Sequence, residues 1–308
     1  MTSSSNPALV GDQTAPAMFA QRVTGANQFR RFMRQLLSTR LVPVGLVILA
    51  IVVFCALFAS VISPYSPDEQ DYTQLTMPPS LEHLLGTDDA GRDVLTRIIY
   101  GSRVSLEVGI IAVGIALTFG VAFGLIAGYV GGKLGTVVMR VMDSIQAFPS
   151  LILALAITAA LGPGIGNAMI AIGVTSIPTI ARLTRGQTLS VREREYVTAS
   201  RVAGASAMRI VLKDVFPNIT SPIIVQATLL TGTAIVTEAA LSFLGVGVRP
   251  PTPTWGSMLQ AGSQVLETAP WLAFAPGIAI FLTVLAFNFV GDGLRRAMDP
   301  RLQRRASS

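Results

Sequence analysis

The sequence predicts an all-α membrane protein with six transmembrane helices, because the chain is apolar and its charged residues are few. Hydrophobic residues make up 51% of the 308 residues and charged residues 13%, about half the charged fraction of an ordinary soluble domain. The mean hydropathy is +0.59. Such a chain has too little polar surface for a soluble enzyme, and it is too hydrophobic to remain disordered.

The six spans follow from stretches that contain no Asp, Glu, Lys or Arg, since a transmembrane helix needs about 20 mostly apolar residues. The stretch between Asp143 and Arg182 is too long for one crossing. Gly162-Pro163-Gly164 divides it, because glycine and proline interrupt helices. The predicted spans lie near 41–63, 104–130, 143–161, 165–182, 219–244 and 272–293.

The distribution of basic residues predicts the orientation of these spans. If the N-terminus is cytoplasmic, 19 of the 23 Lys and Arg residues fall in cytoplasmic segments. This agrees with the excess of Lys and Arg found in cytoplasmic loops, and it places both termini in the cytoplasm. The basic residues flank the membrane at four places, so the net charge of +6 does not predict a nucleic-acid surface.

The predicted spans divide the chain into five segments. Residues 1–28 are polar and are predicted to be a disordered cytoplasmic N-terminus. The other four are the first transmembrane helix with its flanks (29–66), an extracytoplasmic loop with an interfacial helix (67–103), a five-helix core that contains the cytoplasmic loop 183–218 (104–296), and a cytoplasmic tail (297–308).

The interfacial helix is predicted from the end of the extracytoplasmic loop. Thr87 or Asp88 has a side chain that can cap a helix start. An apolar stripe follows, which is typical of a helix that lies on the membrane surface. The stripe consists of Val94, Leu95, Ile98 and Ile99.

A glycine stripe in the second span predicts a close helix contact. Gly120, Gly124 and Gly128 are spaced four residues apart and therefore share one helical face. Small residues allow a neighbouring helix to approach closely in a membrane. The contact is either ordinary helix packing or a surface on which helices slide.

Glu238 is the charged residue with the most apolar surroundings. An acid in the middle of a bilayer costs about 2.5–3.5 kcal/mol on insertion scales and marks a candidate site. Glu238 therefore either lines a translocation pathway or binds a proton, or it lies near the outer end of the fifth span and pairs locally. Cys55 and His83 are the sole cysteine and histidine, so neither a disulfide nor a metal cluster is expected.

The loop 183–218 combines charge with small residues. The sequence predicts two short helices at an angle, over 192–204 and 206–215, with Pro217 as the end of the second. Small residues follow the charged first turn at Ala199, Ser200, Ala203 and Gly204. This small-residue face either enters a groove on another protein or belongs to a solvated connector.

At this loop the sequence resembles the permease subunits of ATP-driven importers. Glu195-Tyr196-Val197-Thr198-Ala199, followed by Gly204 and later by Pro217, is similar to the cytoplasmic segment through which those permeases contact their ATPases. The resemblance implies that the segment 192–217 couples to ATPase subunits. The residues it assigns to that contact are Glu195, Tyr196, Ala199, Ser200, Ala203, Gly204 and Pro217.

Further motifs resemble the C-type permease of dipeptide, oligopeptide and nickel importers. They extend over about residues 80–302 and occur in the same order as in that subfamily. They are the Gly-Thr-Asp and Gly-Arg-Asp signature within 86–106, the third-span entry 143–149, the fifth-span end 238–245, the proline loop 250–256 and the tail motifs 291–295 and 298–301.

The resemblance implies a type I ABC importer permease in a bacterial inner membrane, forming a heterodimer with a homologous B-type permease. It also implies two ATP-binding cassette subunits or domains and an extracytoplasmic solute-binding protein. Peptides are the implied substrates, with nickel chelates or other small solutes as the alternative. ATP and magnesium would bind to the partner subunits and no cofactor to this chain, since Gly132-Lys133 is followed by Leu134 and no phosphate-binding loop results.

Two other classes of protein make different predictions. An ion-coupled carrier would place several acids within the membrane in paired repeats, whereas Glu238 is the one candidate of this kind. A membrane-embedded enzyme would bring together a nucleophile, an acid or base, or a metal. No such set is apparent, so no catalytic residue is assigned and the chain is expected not to be an enzyme.

Overall fold

The computed structural model describes residues 32–37 and 39–298, which form helices joined by turns, with one isolated β-bridge between Thr87 and Asp93. The predicted disordered segment 1–28 and the tail beyond Met298 lie outside the described residues. After a short helical segment over 32–37, the helices are α1 (Val42–Ile62), α2 (Val94–Leu125), α3 (Gly132–Gln146), α4 (Ser150–Leu161), α5 (Ile165–Arg192), α6 (Glu195–Val202), α7 (Ala207–Ile210), α8 (Phe216–Phe243), α9 (Trp255–Gln264) and α10 (Trp271–Met298).

Among the described residues, four helical units are long and apolar enough to cross a membrane. They are α1, α2 with the π-helical segment Ile126–Val130 at its end, the unit from Ala207 to Phe243, and α10. The bent pair of α3 and α4 makes a fifth if it counts as one span. The six predicted spans are therefore not confirmed. The predicted span 165–182 is part of α5, where polar residues such as Asn167 and Ser176 reduce its apolar character.

The predicted span 143–161 is wrong as a single helix. α3 ends at Gln146, α4 begins at Ser150, and their axes differ by 89°. Pro149 at the junction has no N–H to continue the helix and disfavours the helical conformation in the residue before it. The predicted break at Gly162-Pro163-Gly164 is confirmed, because α4 ends and α5 begins on either side of it.

Pro217 does not end a helix, contrary to the sequence prediction. It lies in the first turn of α8, and the chain stays helical from Ala207 to Phe243. Inside a continuous helix a proline removes one backbone hydrogen bond, and its ring crowds the preceding turn. A π-helical segment, Val211–Val215, provides a wider turn just before it. The Asn218 side chain donates a hydrogen bond to the Asp214 carbonyl at 2.7 Å.

α2 begins before the membrane-spanning segment that the sequence predicted, so the short interfacial helix is wrong. Val94 starts a continuous helix of 32 residues. Its cap is neither Thr87 nor Asp88 but Asp93, whose Oδ2 accepts a hydrogen bond from the Thr96 N–H at 2.7 Å. Nothing in 94–103 breaks the helix, so the apolar stripe is its first three turns.

The glycine stripe lies against α5. A Cβ atom at Gly124 would lie 2.5 Å from the Thr184 Cβ and 2.6 Å from the Ala181 carbonyl oxygen. One turn to either side, a Cβ atom at Gly120 would likewise clash with Ile180, and a Cβ atom at Gly128 would clash with Thr188. Because these contacts recur at every turn, the backbone of the α2 stripe packs against side chains of α5 along the C-terminal halves of both helices.

Candidate functional site: the exposed loop between α5 and α8

The exposed loop is anchored to the helix bundle by one apolar side chain of α6. Val197 is fully buried and belongs to a cluster with Val191 at the end of α5 and Ile210 and Ile219 on the far side of the loop. The neighbours of Val197 on α6 are exposed. The short helix is therefore held on one side and presents its other side outward.

α6 is shorter than the helix 192–204 predicted from the sequence. It ends at Val202, and Gly204 lies just beyond it with φ +78°. The Gly204 N–H donates to the Arg201 carbonyl at 3.1 Å and the Ala205 N–H to the Ser200 carbonyl at 3.1 Å. This pair of bonds is a Schellman motif, which requires a left-handed residue at the position that Gly204 occupies. Gly204 therefore ends the helix.

The outward side of α6 forms an open groove, which we call the α6 groove. Two alanines in its lining, Ala199 and Ala203, have side chains short enough for a partner to approach the backbone. Three of the predicted coupling residues line it, namely Glu195, Ala199 and Ala203, together with Glu193, Thr198 and Val202. Val202 has 84% of its surface exposed, which is a large fraction for an apolar side chain at the end of a helix.

The other predicted coupling residues lie outside this groove. Tyr196 is exposed on α6 but does not line it. Ser200 is half-buried and supplies the carbonyl of the Schellman motif. Gly204 and Pro217 are exposed at the turn and at the start of α8.

Arg192, at the end of α5, connects the loop to the end of α2. Its Nη1 donates to the carbonyl of Gly128 at 2.9 Å and lies 3.4 Å from the carbonyl oxygen of Tyr129. Its Nε pairs with Glu193 at 2.9 Å. The sequence analysis did not identify this contact, because the partners are separated by about 64 positions. The one available signal was a basic residue in the last turn of a helix.

A second polar contact joins α3 to α5 near the same end of the bundle. Arg182 Nη2 lies 2.8 Å from Asp143 Oδ1, and each side chain is 54% exposed. A half-exposed ion pair contributes little to stability. Its effect is therefore more on the orientation of the bent pair of α3 and α4 than on the strength of its attachment to α5.

Glu238 lies near the end of α8 and is fully buried. The Ser242 hydroxyl donates to Glu238 Oε1 at 2.6 Å, and the Val248 N–H donates to the Ser242 hydroxyl oxygen at 3.4 Å. Oε2 is buried without a hydrogen-bond partner among the described residues. The local pairing weighed in the sequence analysis is thus present, and Glu238 has no exposed surface in this conformation. Its role in a translocation pathway stays a prediction.

His83 and Asp93 organise the opposite end of the bundle. His83 is 7% exposed, and its Nδ1 lies 2.9 Å from Asp93 Oδ1. Asp93 therefore contacts His83 through one oxygen and caps α2 through the other. Within the described residues no group of three His, Cys, Asp or Glu side chains is placed to hold a metal ion.

The fold matches that of one chain in a solved structure. A chain of a solved structure titled "Inward facing conformations of the MetNI methionine ABC transporter" superposes with a TM-score of 0.56 at 19% identity, covering 66% of this chain and 97% of that one. At this identity the likeness concerns the fold alone.

The chain belongs to the family described as "Binding-protein-dependent transport system inner membrane component", whose model matches residues 120–304. A second model, "N-terminal TM domain of oligopeptide transport permease C", matches residues 27–79. The resemblance proposed from the sequence is confirmed, and the protein is a multi-pass inner-membrane permease subunit.

Curated relatives align over most of the chain. The dipeptide transport system permease protein DppC of Escherichia coli K12 is 53% identical, covering 84% of this chain and 89% of the relative. The di/tripeptide transport system permease protein DppC of Pseudomonas aeruginosa is 48% identical, covering 85% and 88%. The glutathione transport system permease protein GsiD of E. coli O6:K15:H31 is 45% identical, covering 89% and 90%.

Proposed function

We propose that this chain is one of two permease subunits of an ATP-driven importer of short peptides. The observation that carries the proposal is the similarity, at 48–53% identity over most of the chain, to permeases named for dipeptide and di/tripeptide transport. The glutathione permease relative supports the same class, since glutathione is itself a small peptide. In this role the chain forms half of a translocation pathway and catalyses no reaction.

The proposed partners follow from the surfaces of the chain. An ATP-binding cassette subunit docks on the α6 groove, where the short side chains of Ala199 and Ala203 allow it to approach α6 closely. A homologous B-type permease forms the other half of the pathway, and an extracytoplasmic solute-binding protein delivers the peptide. ATP and magnesium bind to the cassette subunits.

The proposed topology has six crossings, with both termini in the cytoplasm. Besides the four strongly apolar units, it uses the bent pair of α3 and α4 as one crossing and α5 as another. Basic residues of the exposed loop, such as Arg194 and Arg201, support a cytoplasmic location for that loop. α9 and the segment 64–93 then lie on the extracytoplasmic side.

Transport proceeds by a lever mechanism in this proposal. ATP draws the two cassette subunits together, and α6 moves with them. Val197 and Arg192 attach α6 to the ends of α5 and α2, so the movement of α6 reaches the membrane helices as a rigid-body displacement. The shared cavity then opens to one side of the membrane at a time.

The test uses the assembled transporter in proteoliposomes. A203W fills the α6 groove and is expected to abolish peptide import and the stimulation of ATPase activity by the loaded binding protein, while the chain still inserts into the membrane. The matched control is A160W, at an exposed alanine of α4 remote from the loop. Normal import by A203W would refute the coupling assignment. Import that persists without ATP under an imposed ion gradient would refute the ATP-driven class.

A further inference from the structure

A cavity lies at the end of the bundle opposite the α6 groove, on the side that the proposed topology places outside. It is enclosed by the first turns of α2, the loop before α9, α9 itself and the start of α10, and we call it the outer cavity. Its volume is about 240 Å³, below the roughly 300–1,000 Å³ of pockets that take a whole drug-sized ligand. It therefore has room for one end of a ligand.

One wall of the outer cavity carries two arginines that share a single carboxylate. Asp88 Oδ2 lies 2.8 Å from Arg92 Nε and 3.5 Å from Arg97 Nε. Asp88 Oδ1 already accepts the N–H groups of Ala90 and Arg92. Asp89 lies 3.7 Å from Arg92 but is 68% exposed, so this second acid is solvated and contributes little charge neutralisation inside the cavity.

Arg97 is the under-satisfied member of this group. The residue is 5% exposed. Its guanidinium donates two hydrogen bonds, both from Nη1, to the carbonyls of Pro67 at 2.8 Å and Pro251 at 3.5 Å. Its Nε is buried and makes no hydrogen bond among the described residues, and its one ionic contact is the long one to Asp88 Oδ2 at 3.5 Å. A guanidinium offers five N–H donors, and leaving charged donors unpaired in a buried place is costly. A second carboxylate that enters the cavity would supply the missing acceptor.

The floor of the outer cavity is apolar. Val94, Met258 and Leu272 are all buried there, and they lie beside the charged wall. A ligand that complements both the charged wall and the apolar floor has a carboxylate next to an apolar side chain. The C-terminal residue of a peptide has this arrangement. Arginine is suited to the carboxylate because its planar guanidinium can bind both oxygens.

We infer that the outer cavity binds the C-terminal residue of a short peptide, with the carboxylate on Arg97 and the side chain against Val94, Met258 and Leu272. The inference rests on the proposed function, and it adds a contact between the permease and its substrate before the membrane is crossed. Peptides with a free C-terminus and an apolar last residue are the preferred ligands.

The test measures protection of a thiol at the rim of the cavity. In a C55A background, the assembled transporter carries Q260C, which lines the cavity, or S263C, which is exposed on the same helix outside it. Maleimide is added from outside with Ala-Phe or with its C-terminal amide. Ala-Phe should slow labelling of Q260C at concentrations about tenfold lower than the amide, and neither should slow labelling of S263C. A261F, which fills the cavity, should abolish the protection.

Equal protection by the acid and the amide, or none by either, would overturn the inference. Protection by the peptide-free binding protein without protection by Ala-Phe would also overturn it, because the cavity would then be a protein contact. Import of Ala-Phe is measured in the same vesicles. Import without protection refutes the outer cavity alone, whereas failure to import any short peptide refutes the proposed function itself.

Discussion

Arg192 donates a hydrogen bond to the carbonyl of Gly128 at 2.9 Å and thereby joins the end of α5 to the end of α2. The last carbonyls of a helix have no intrahelical partner, and a cation near them is favoured by the helix dipole. Gly128 is also a member of the glycine stripe that packs on α5. The exposed loop is therefore attached to the most closely packed helix pair of the bundle.

Replacing this arginine should uncouple the loop from the membrane helices. We expect R192A to lower the free energy of unfolding by about 1–2 kcal/mol, since a hydrogen bond from a charged group is lost, and to reduce peptide-stimulated ATPase activity at least tenfold. Thermal unfolding and ATPase assays of the assembled transporter measure both. The control is R194A, whose side chain is exposed. Unchanged stimulation in R192A would show that the coupling does not pass through this contact.

The glycine stripe makes a prediction with a control in the same helix. G124A places a methyl group 2.5 Å from Thr184 Cβ and against the Ala181 backbone, so α2 and α5 must separate. We expect a loss of about 1–3 kcal/mol and a lower melting temperature of the purified complex. G114A meets nothing within 4 Å and should gain up to about 1 kcal/mol in helix propensity. Equal melting temperatures for the two variants would contradict the packing interpretation.

We predict that Glu238 stabilises the folded protein through its hydrogen bond with Ser242. E238Q keeps an acceptor oxygen for the Ser242 hydroxyl, so stability should change by less than about 1 kcal/mol and peptide uptake by less than twofold. E238L removes the acceptor and leaves Ser242 unsatisfied in a buried place, which costs about 1–3 kcal/mol. An E238Q transporter that is stable but inactive would place the negative charge in the transport cycle.

The cap of α2 makes a prediction for the outer end of the bundle. D93N weakens the bond to the Thr96 N–H and the contact with His83. Asn caps a helix about as well as Asp, so the expected loss, about 1–2 kcal/mol by thermal unfolding, comes mainly from the weakened buried contact with His83. D89N is the control, because Asp89 is largely exposed and its nearest cation lies 3.7 Å away. A larger effect of D89N than of D93N would refute this role of Asp93.

Much of the fold could be predicted from the sequence because it depends on local composition. The apolar runs that became α1, α8 and α10 are continuous in the sequence, and the break at 162–164 depends on glycine and proline, which act within one turn. The errors arose where a local signal had more than one outcome. Pro217 can end a helix or begin one, and only the helical segment before it decides which.

The candidate site was predicted in part. The exposed helix and its small residues were recognisable by resemblance, and Ala199 and Ala203 do line the groove. The anchors Val197 and Arg192 were not identified, because their partners lie on other helices. The outer cavity was not identified either, since Asp88 and Met258 are 170 positions apart in the chain.

The sequence by itself determined that this protein spans a membrane, where most of its apolar helices lie and which loop is exposed, since hydrophobicity and turn chemistry are properties of neighbouring residues. The tertiary structure decided which helix the glycine stripe packs on, which acid caps α2 and which nitrogen of Arg97 lacks a hydrogen bond. These depend on distances between residues far apart in the chain, and such distances exist only once the helices have packed.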